Sequence, residues 1–194
     1  FMMIIALASM FMLALAVAQM RPPKEEAKGP DRKAEMLIQM TWPDTNLDDI
    51  DLWLLLPTRQ VVSFRVREAD NASLDRDDLG TVNDTYTDIN GKQIVVRANH
   101  ETIALRSLSP GQYVVNVQVF SARPATHNGL ENVPMLPYPV KVMLTQLNPS
   151  MKLLATNSVT VERVGQQMTA LSFVVNDDGT VGRIDTEEQI PFIA

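Results

Sequence analysis

The sequence predicts an all-β sandwich, of jelly-roll or immunoglobulin-like type, preceded by one N-terminal transmembrane α-helix. Three observations lead there. Apolar and polar residues alternate with period two in many short runs after Ala34, turn-forming pairs separate those runs, and Phe1–Ala18 is an unbroken apolar stretch.

The apolar stretch reads FMMIIALASMFMLALAVA, with Ser9 as its polar interruption. At about 1.5 Å per residue it is long enough, at roughly 27 Å, to approach the thickness of a bilayer core. It has no Pro or Gly, so every internal backbone group can pair within the helix. The alternative is a secretory signal peptide, since Ala16-Val17-Ala18 resembles a small-residue cleavage site. The missing basic n-region favours a retained anchor. Small side chains let helices approach closely in lipid, with Ala6, Ser9, Leu13 and Ala16 as the packing positions.

Three segments follow from this: a transmembrane helix at 1–20, a linker at 21–33 and a β-sandwich domain at 34–194. The linker, RPPKEEAKGPDRK, holds eight charged residues, three prolines and one glycine, a composition that cannot bury a face. Beyond it, Gln112–Phe120 sets Tyr113, Val115, Val117 and Val119 against Gln112, Asn116 and Gln118, the pattern of a half-buried strand entered from the Pro110-Gly111 turn. Further strands are expected at Glu35–Trp42, Ile50–Leu56, Gln60–Val66, Thr85–Ile89, Lys92–Arg97, Glu101–Arg106, Pro139–Leu147, Leu153–Glu162 and Thr169–Val175. Asn90-Gly91 predicts a type I′ hairpin.

Charge and composition exclude several functions. The net charge is -6, and the first 33 residues carry a balance of +2 that leaves -8 on the remainder. So acidic a domain repels phosphate backbones, and nucleic acid is not an expected partner. Without cysteine the chain has no disulfide framework, Cys-ligated zinc or Cys nucleophile. No G-x-S-x-G, H-E-x-x-H, P-loop or dinucleotide fingerprint is present. His100 and His127 stand in unrelated contexts and read as surface residues. The chain reads as a non-enzyme with no catalytic residue.

Two acidic clusters remain, Asp48-Asp49-Asp51 and Asp75-Asp77-Asp78. Clustered carboxylates repel one another unless a cation or hydrogen-bond donors compensate. Asp49, Asp51, Asp75 and Asp77 are therefore candidate ligands for calcium, which takes six to eight oxygens. The alternative is a pair of Asx-type loops balanced by Arg65, Arg67 and Arg76. Trp42 and Trp53 could stack on a sugar, but Trp53 lies in an apolar strand and reads as core.

Asp49-Ile50-Asp51-Leu52-Trp53, Pro57, Leu74-Asp75-Arg76-Asp77-Asp78 and Pro110-Gly111-Gln112-Tyr113 resemble, in order and spacing, the YfaP-like bacterial envelope β-sandwich family over residues 35–176. That resemblance implies a ligand-binding module, although Leu54–Thr58 replaces the family's polar turn. The N-terminal 23 residues, ending Gln19-Met20-Arg21-Pro22-Pro23, resemble the single-pass ExbD, TolR and MotB group. This second resemblance implies a bacterial inner-membrane subunit of an ion-driven motor. A homodimer would hold its helices inside a MotA-, ExbB- or TolQ-like pentamer, with the sandwich in the periplasm against an envelope target. The group's ion-carrying Asp would lie upstream of Phe1 or be absent, since no acidic residue precedes Glu25. The other function expected is a membrane-tethered module that binds glycan, peptidoglycan or an envelope protein, or a structural subunit of a surface machine.

Overall fold

Alternation at the start of the domain becomes a strand with one fully buried row. The computed structural model describes residues 33–80 and 83–193. In it β1 (Met36–Thr41) buries Met36, Ile38 and Met40 completely and leaves the intervening side chains half-buried. The same rule, that successive residues face opposite sides of a strand, sets β2 (Asp49–Leu55), β8 (His100–Leu105), β9 (Gly111–Ser121), β12 (Tyr138–Gln146), β13 (Lys152–Val161) and β14 (Gln167–Val175). Shorter elements complete the set: β3 (Val61–Val62), β4 (Glu68–Ala69), β5 (Ala72–Arg76), β6 (Thr85–Thr87), β7 (Gln93–Val95), β10 (Thr126–His127), β11 (Leu130–Glu131) and β15 (Val181–Asp185).

Two antiparallel sheets hold most of these strands. The first runs β13-β12-β1-β8-β5-β4 and the second β15-β14-β9-β2-β3, with β6-β7 and β10-β11 as separate hairpins. Ile50, Leu52 and Leu54 of β2 and Val115, Val117 and Val119 of β9 share one apolar cluster with Met36, Ile38 and Met40 of β1 and Val140, Val142 and Leu144 of β12. This is a sandwich core, in which each sheet buries one face against the other. Within it the rings of Tyr113 and Phe173 stack at 4.7 Å. The Tyr113 hydroxyl accepts from Ser109 N at 2.9 Å and donates to Ser109 O at 3.0 Å, which fastens the entry to β9.

The all-β sandwich expected from alternation is therefore present, and several details differ. The strand expected over Gln60–Val66 pairs only at Val61–Val62. The chain then turns, with Ser63 N donating to Val66 O and Val66 N to Ser63 O, and crosses from the second sheet to β4 in the first. Neither β5, inside an acidic stretch, nor β15, after the Asn176–Gly179 turn, was expected. The β6-β7 hairpin forms at Asn90-Gly91, but only Gly91 has positive φ (81°), and Gly91 N donates to Asp88 O. A type I′ turn needs φ > 0 at both central residues, so this is instead a three-residue loop, a right-handed turn that ends on a glycine in the left-handed region.

No helix among the described residues is long and apolar enough to cross a membrane. The transmembrane segment expected at 1–20, its packing positions Ala6, Ser9, Leu13 and Ala16, and the linker up to Arg32 lie outside the described residues. The described residues form the all-β sandwich of that expectation, in a unit that begins at Lys33.

Candidate cation site at the edge of the sandwich

Because Ile50, Leu52 and Leu54 enter the core, Asp49, Asp51 and Trp53 occupy the other parity of β2. One edge of β2 pairs with β9 along its length. The other meets β3 only at Leu54 and Leu55. The backbone at Leu52 therefore has no strand neighbour on that edge, and a buried amide left unpaired is costly. Glu101 fills the gap: Leu52 N donates to its Oε2 at 2.7 Å, while Asp78 N donates to its Oε1 at 3.3 Å. Glu101 alternates with Ile103 and Leu105 on the inward row of β8 and is 1% exposed, a carboxylate in a core position.

Asp77 reaches the same place through a β-bulge. Leu74 pairs with the inward residue Ile103, but Arg76 pairs with Thr102, and the register shifts between them. A bulge adds one residue to a strand and reverses the alternation beyond it. Asp75 is the extra residue, and Asp77 then follows on the side of Glu101. Asp51, Asp77 and Glu101 each present a carboxylate oxygen, and these oxygens lie within 4.8 Å of one another. Asp51 is 3% exposed, and its Oδ2, with Asp49 Oδ1 and Asp77 Oδ1, is buried without a hydrogen-bond partner.

Protonation equilibria respond to this crowding. Burial, reinforced by the charges of Asp49 and Asp77 and opposed by Arg65, raises the Asp51 carboxyl to about 8. Burial and the Asp77 charge, opposed by Arg123, raise Asp49 to about 6. Glu101 is pushed well above the usual carboxylate range by burial, against the donated Leu52 amide. Arg67 lies 3.4 Å from Asp77 and is half exposed, so it offsets little of this repulsion.

The other acidic residues have different work. Asp48 is saturated: its Oδ1 accepts from Arg123 N at 2.6 Å and Asn132 Nδ2 at 2.9 Å, and its Oδ2 from Tyr138 Oη at 2.8 Å. Asp78 accepts from Arg76 at 3.0 Å, His100 N at 3.2 Å and Gly80 N at 3.1 Å. Gly80 has φ 64°, and a Cβ there would sit 2.6 Å from Leu47 O, so this loop passes tightly against the start of β2. Asp75, one of the four expected calcium ligands, instead accepts from Ser73 Oγ at 2.5 Å and pairs with Arg106 at 3.5 Å. The structure thus brings Asp51 and Asp77 together, keeps Asp49 close enough to raise the Asp51 carboxyl, and sends Asp75 elsewhere. Glu101 is the residue that sequence reasoning missed. The signal was an acidic side chain in the apolar row of an alternating strand.

Trp53 is buried, though outside the inter-sheet core. Phe64 packs edge-on to it at 5.6 Å, and Arg65 lies over the ring at 5.6 Å. Trp42 belongs to the core. His100 Nδ1 contacts Ala98 O and His127 Nε2 contacts Asn128.

No family model matches the chain, and no curated protein matches it. A solved structure does. It is a homologue of telluride resistance protein (TerD) from Streptomyces coelicolor A3(2), with 17% identity, a TM-score of 0.44, and coverage of 79% of this chain and 88% of that one. These findings correct the family resemblances drawn from sequence. Neither a YfaP-like nor an ExbD/TolR/MotB-like model matches the chain. Short strand motifs such as Asp49–Trp53 and Pro110–Tyr113 record alternation and turn chemistry common to many sandwiches, which is why they misled. The motor reading and the envelope-module alternative fall with those resemblances.

Proposed function

We propose that this domain binds a divalent cation, calcium in particular, through Asp51, Asp77 and Glu101, with Asp49 beside them. The observation that carries this is the convergence of three carboxylate oxygens within 4.8 Å, one of them on a side chain that is 3% exposed and has an unpartnered oxygen. Oxygens on opposite sides of a calcium ion held at 2.3–2.6 Å are about 5 Å apart, whereas magnesium at about 2.1 Å demands a tighter set. A cation here would satisfy the orphaned oxygens and restore the ionised form of groups that burial holds protonated. It would also join β2 to β5 and β8 at the edge where β2 lacks a strand neighbour. Water or further protein oxygens would complete the coordination.

The test is thermal unfolding during a calcium titration, started from chelator-treated protein. If the dissociation constant is about 10 μM, about 1 mM calcium stabilises the folded state by about 2.7 kcal/mol. A melting temperature that ignores millimolar calcium refutes the proposal, as does an Asp51→Asn variant that keeps the full shift.

A further inference from the structure

Away from the cation site, a cavity of about 340 Å³ opens on the outer side of the second sheet. Leu55 and Val114, a cross-strand pair of β2 and β9, line its base, with Pro57, Gln112, Ile190 and Arg59 around them. Ile190 follows β15 and is fastened by side chains: its N donates to Thr169 Oγ1 at 2.8 Å and its O accepts from Asn116 Nδ2 at 3.0 Å. The lining combines apolar side chains with Gln112, backbone polar groups and one cation.

That cation is Arg59, which forms no ion pair among the described residues. Its backbone φ is 68°, a left-handed conformation that glycine adopts freely and arginine does not. The turn is closed on both sides, by Arg59 N donating to Leu56 O and Leu56 N donating to Gln60 O, each at 2.9 Å. An arginine held in a strained backbone conformation, without an ion pair among the described residues, at the rim of a cavity with apolar side chains at its base has no structural task that a glycine would not perform better. Strain of this kind concentrates where a side chain is needed for binding.

We propose that this cavity binds a small amphipathic carboxylate, its apolar body against Leu55, Val114 and Ile190 and its carboxylate on the Arg59 guanidinium. The guanidinium fork matches a carboxylate with two parallel N–H···O bonds, which a neutral head group cannot reproduce. A volume of this size lies within the range of small-ligand sites. The inference is independent of the cation site and holds whether or not calcium binds.

The experiment is a titration of the isotope-labelled full chain with octanoate, followed by backbone amide shifts. Saturable shifts are expected at Leu55, Arg59, Val114 and Ile190. Octanamide, of the same length but uncharged, should bind about tenfold more weakly, and Arg59→Gly should weaken octanoate binding by at least the same factor. That substitution removes the charge while suiting the left-handed backbone, so the variant folds and its loss of binding is readable. Absence of saturable shifts at these residues overturns the proposal. So does equal binding of octanamide, or unchanged octanoate binding by Arg59→Gly.

Discussion

The carboxylate of Glu101 accepts the amide hydrogen of Leu52 at 2.7 Å, so a side chain of one sheet caps the backbone of the other. Its second oxygen takes the amide of Asp78. Glu101→Gln replaces one of these acceptors by an NH₂ group that faces an N–H donor. The variant should lose about 1–3 kcal/mol of stability, the cost of leaving a buried polar group unsatisfied. Chemical denaturation measures the loss, and faster hydrogen exchange at Leu52 locates it.

The raised carboxyls set a pH dependence of definite sign. Asp51 has a folded pKa of about 8 against an ordinary 3.8, so between those values the folded state holds more protons than the unfolded. Metal-free stability should fall as pH rises from about 4 to about 8, by up to about 1.4 kcal/mol per pH unit for one group. Asp49 adds to the fall between its ordinary 3.8 and about 6. Calcium requires the ionised ligands, so its stabilising effect should grow over the same interval. Melting curves with chelator and with calcium, across this pH range, show both trends. Metal-free stability that stays level would contradict the burial and crowding assigned to Asp51.

Asp51 and Asp75 are both acidic members of the same sequence stretch and should respond in opposite ways. Asp51→Asn removes the cost of protonating a buried carboxyl on folding, so at neutral pH it should stabilise the metal-free protein while abolishing the calcium-induced rise in melting temperature. Asp75 has a side chain 45% exposed and sits against Arg106. Asp75→Asn should change stability by less than about 0.5 kcal/mol and leave the calcium response intact. Loss of the response in the Asp75 variant would place the ligand set elsewhere.

Tyr113→Phe keeps the ring stacked on Phe173 but deletes both hydroxyl bonds to Ser109. The expected cost is about 1–2 kcal/mol, since Ser109 N loses its partner. Equilibrium denaturation tests it, and an unchanged slope would show that the compactness of the native state is preserved.

Local pattern made much of this protein legible. Alternation in Gln112–Phe120, and in β1, β12 and β14, follows from side chains pointing to opposite faces of any strand, so the chain announces its sandwich without knowing its neighbours. The acidic residues Asp49, Asp51 and Asp77 were visible for the same reason: carboxylates so close in sequence need compensation wherever they fold. Family membership was not legible, because turn pairs and short alternating motifs recur across unrelated sandwiches.

The site itself was decided by tertiary structure. Asp51, Asp77 and Glu101 meet only because β5 and β8 are neighbours in one sheet and the unpaired edge of β2 in the other sheet lies against them. Period two tells which side of a strand a residue takes, but not which strand it will face. A single bulge between Leu74 and Arg76 then separated two aspartates that look equivalent in sequence, leaving Asp75 beside Arg106 and delivering Asp77 to Glu101. That bulge is a property of the pairing between β5 and β8. One extra residue in a ladder reverses every side chain beyond it, and no count along β5 alone reveals it.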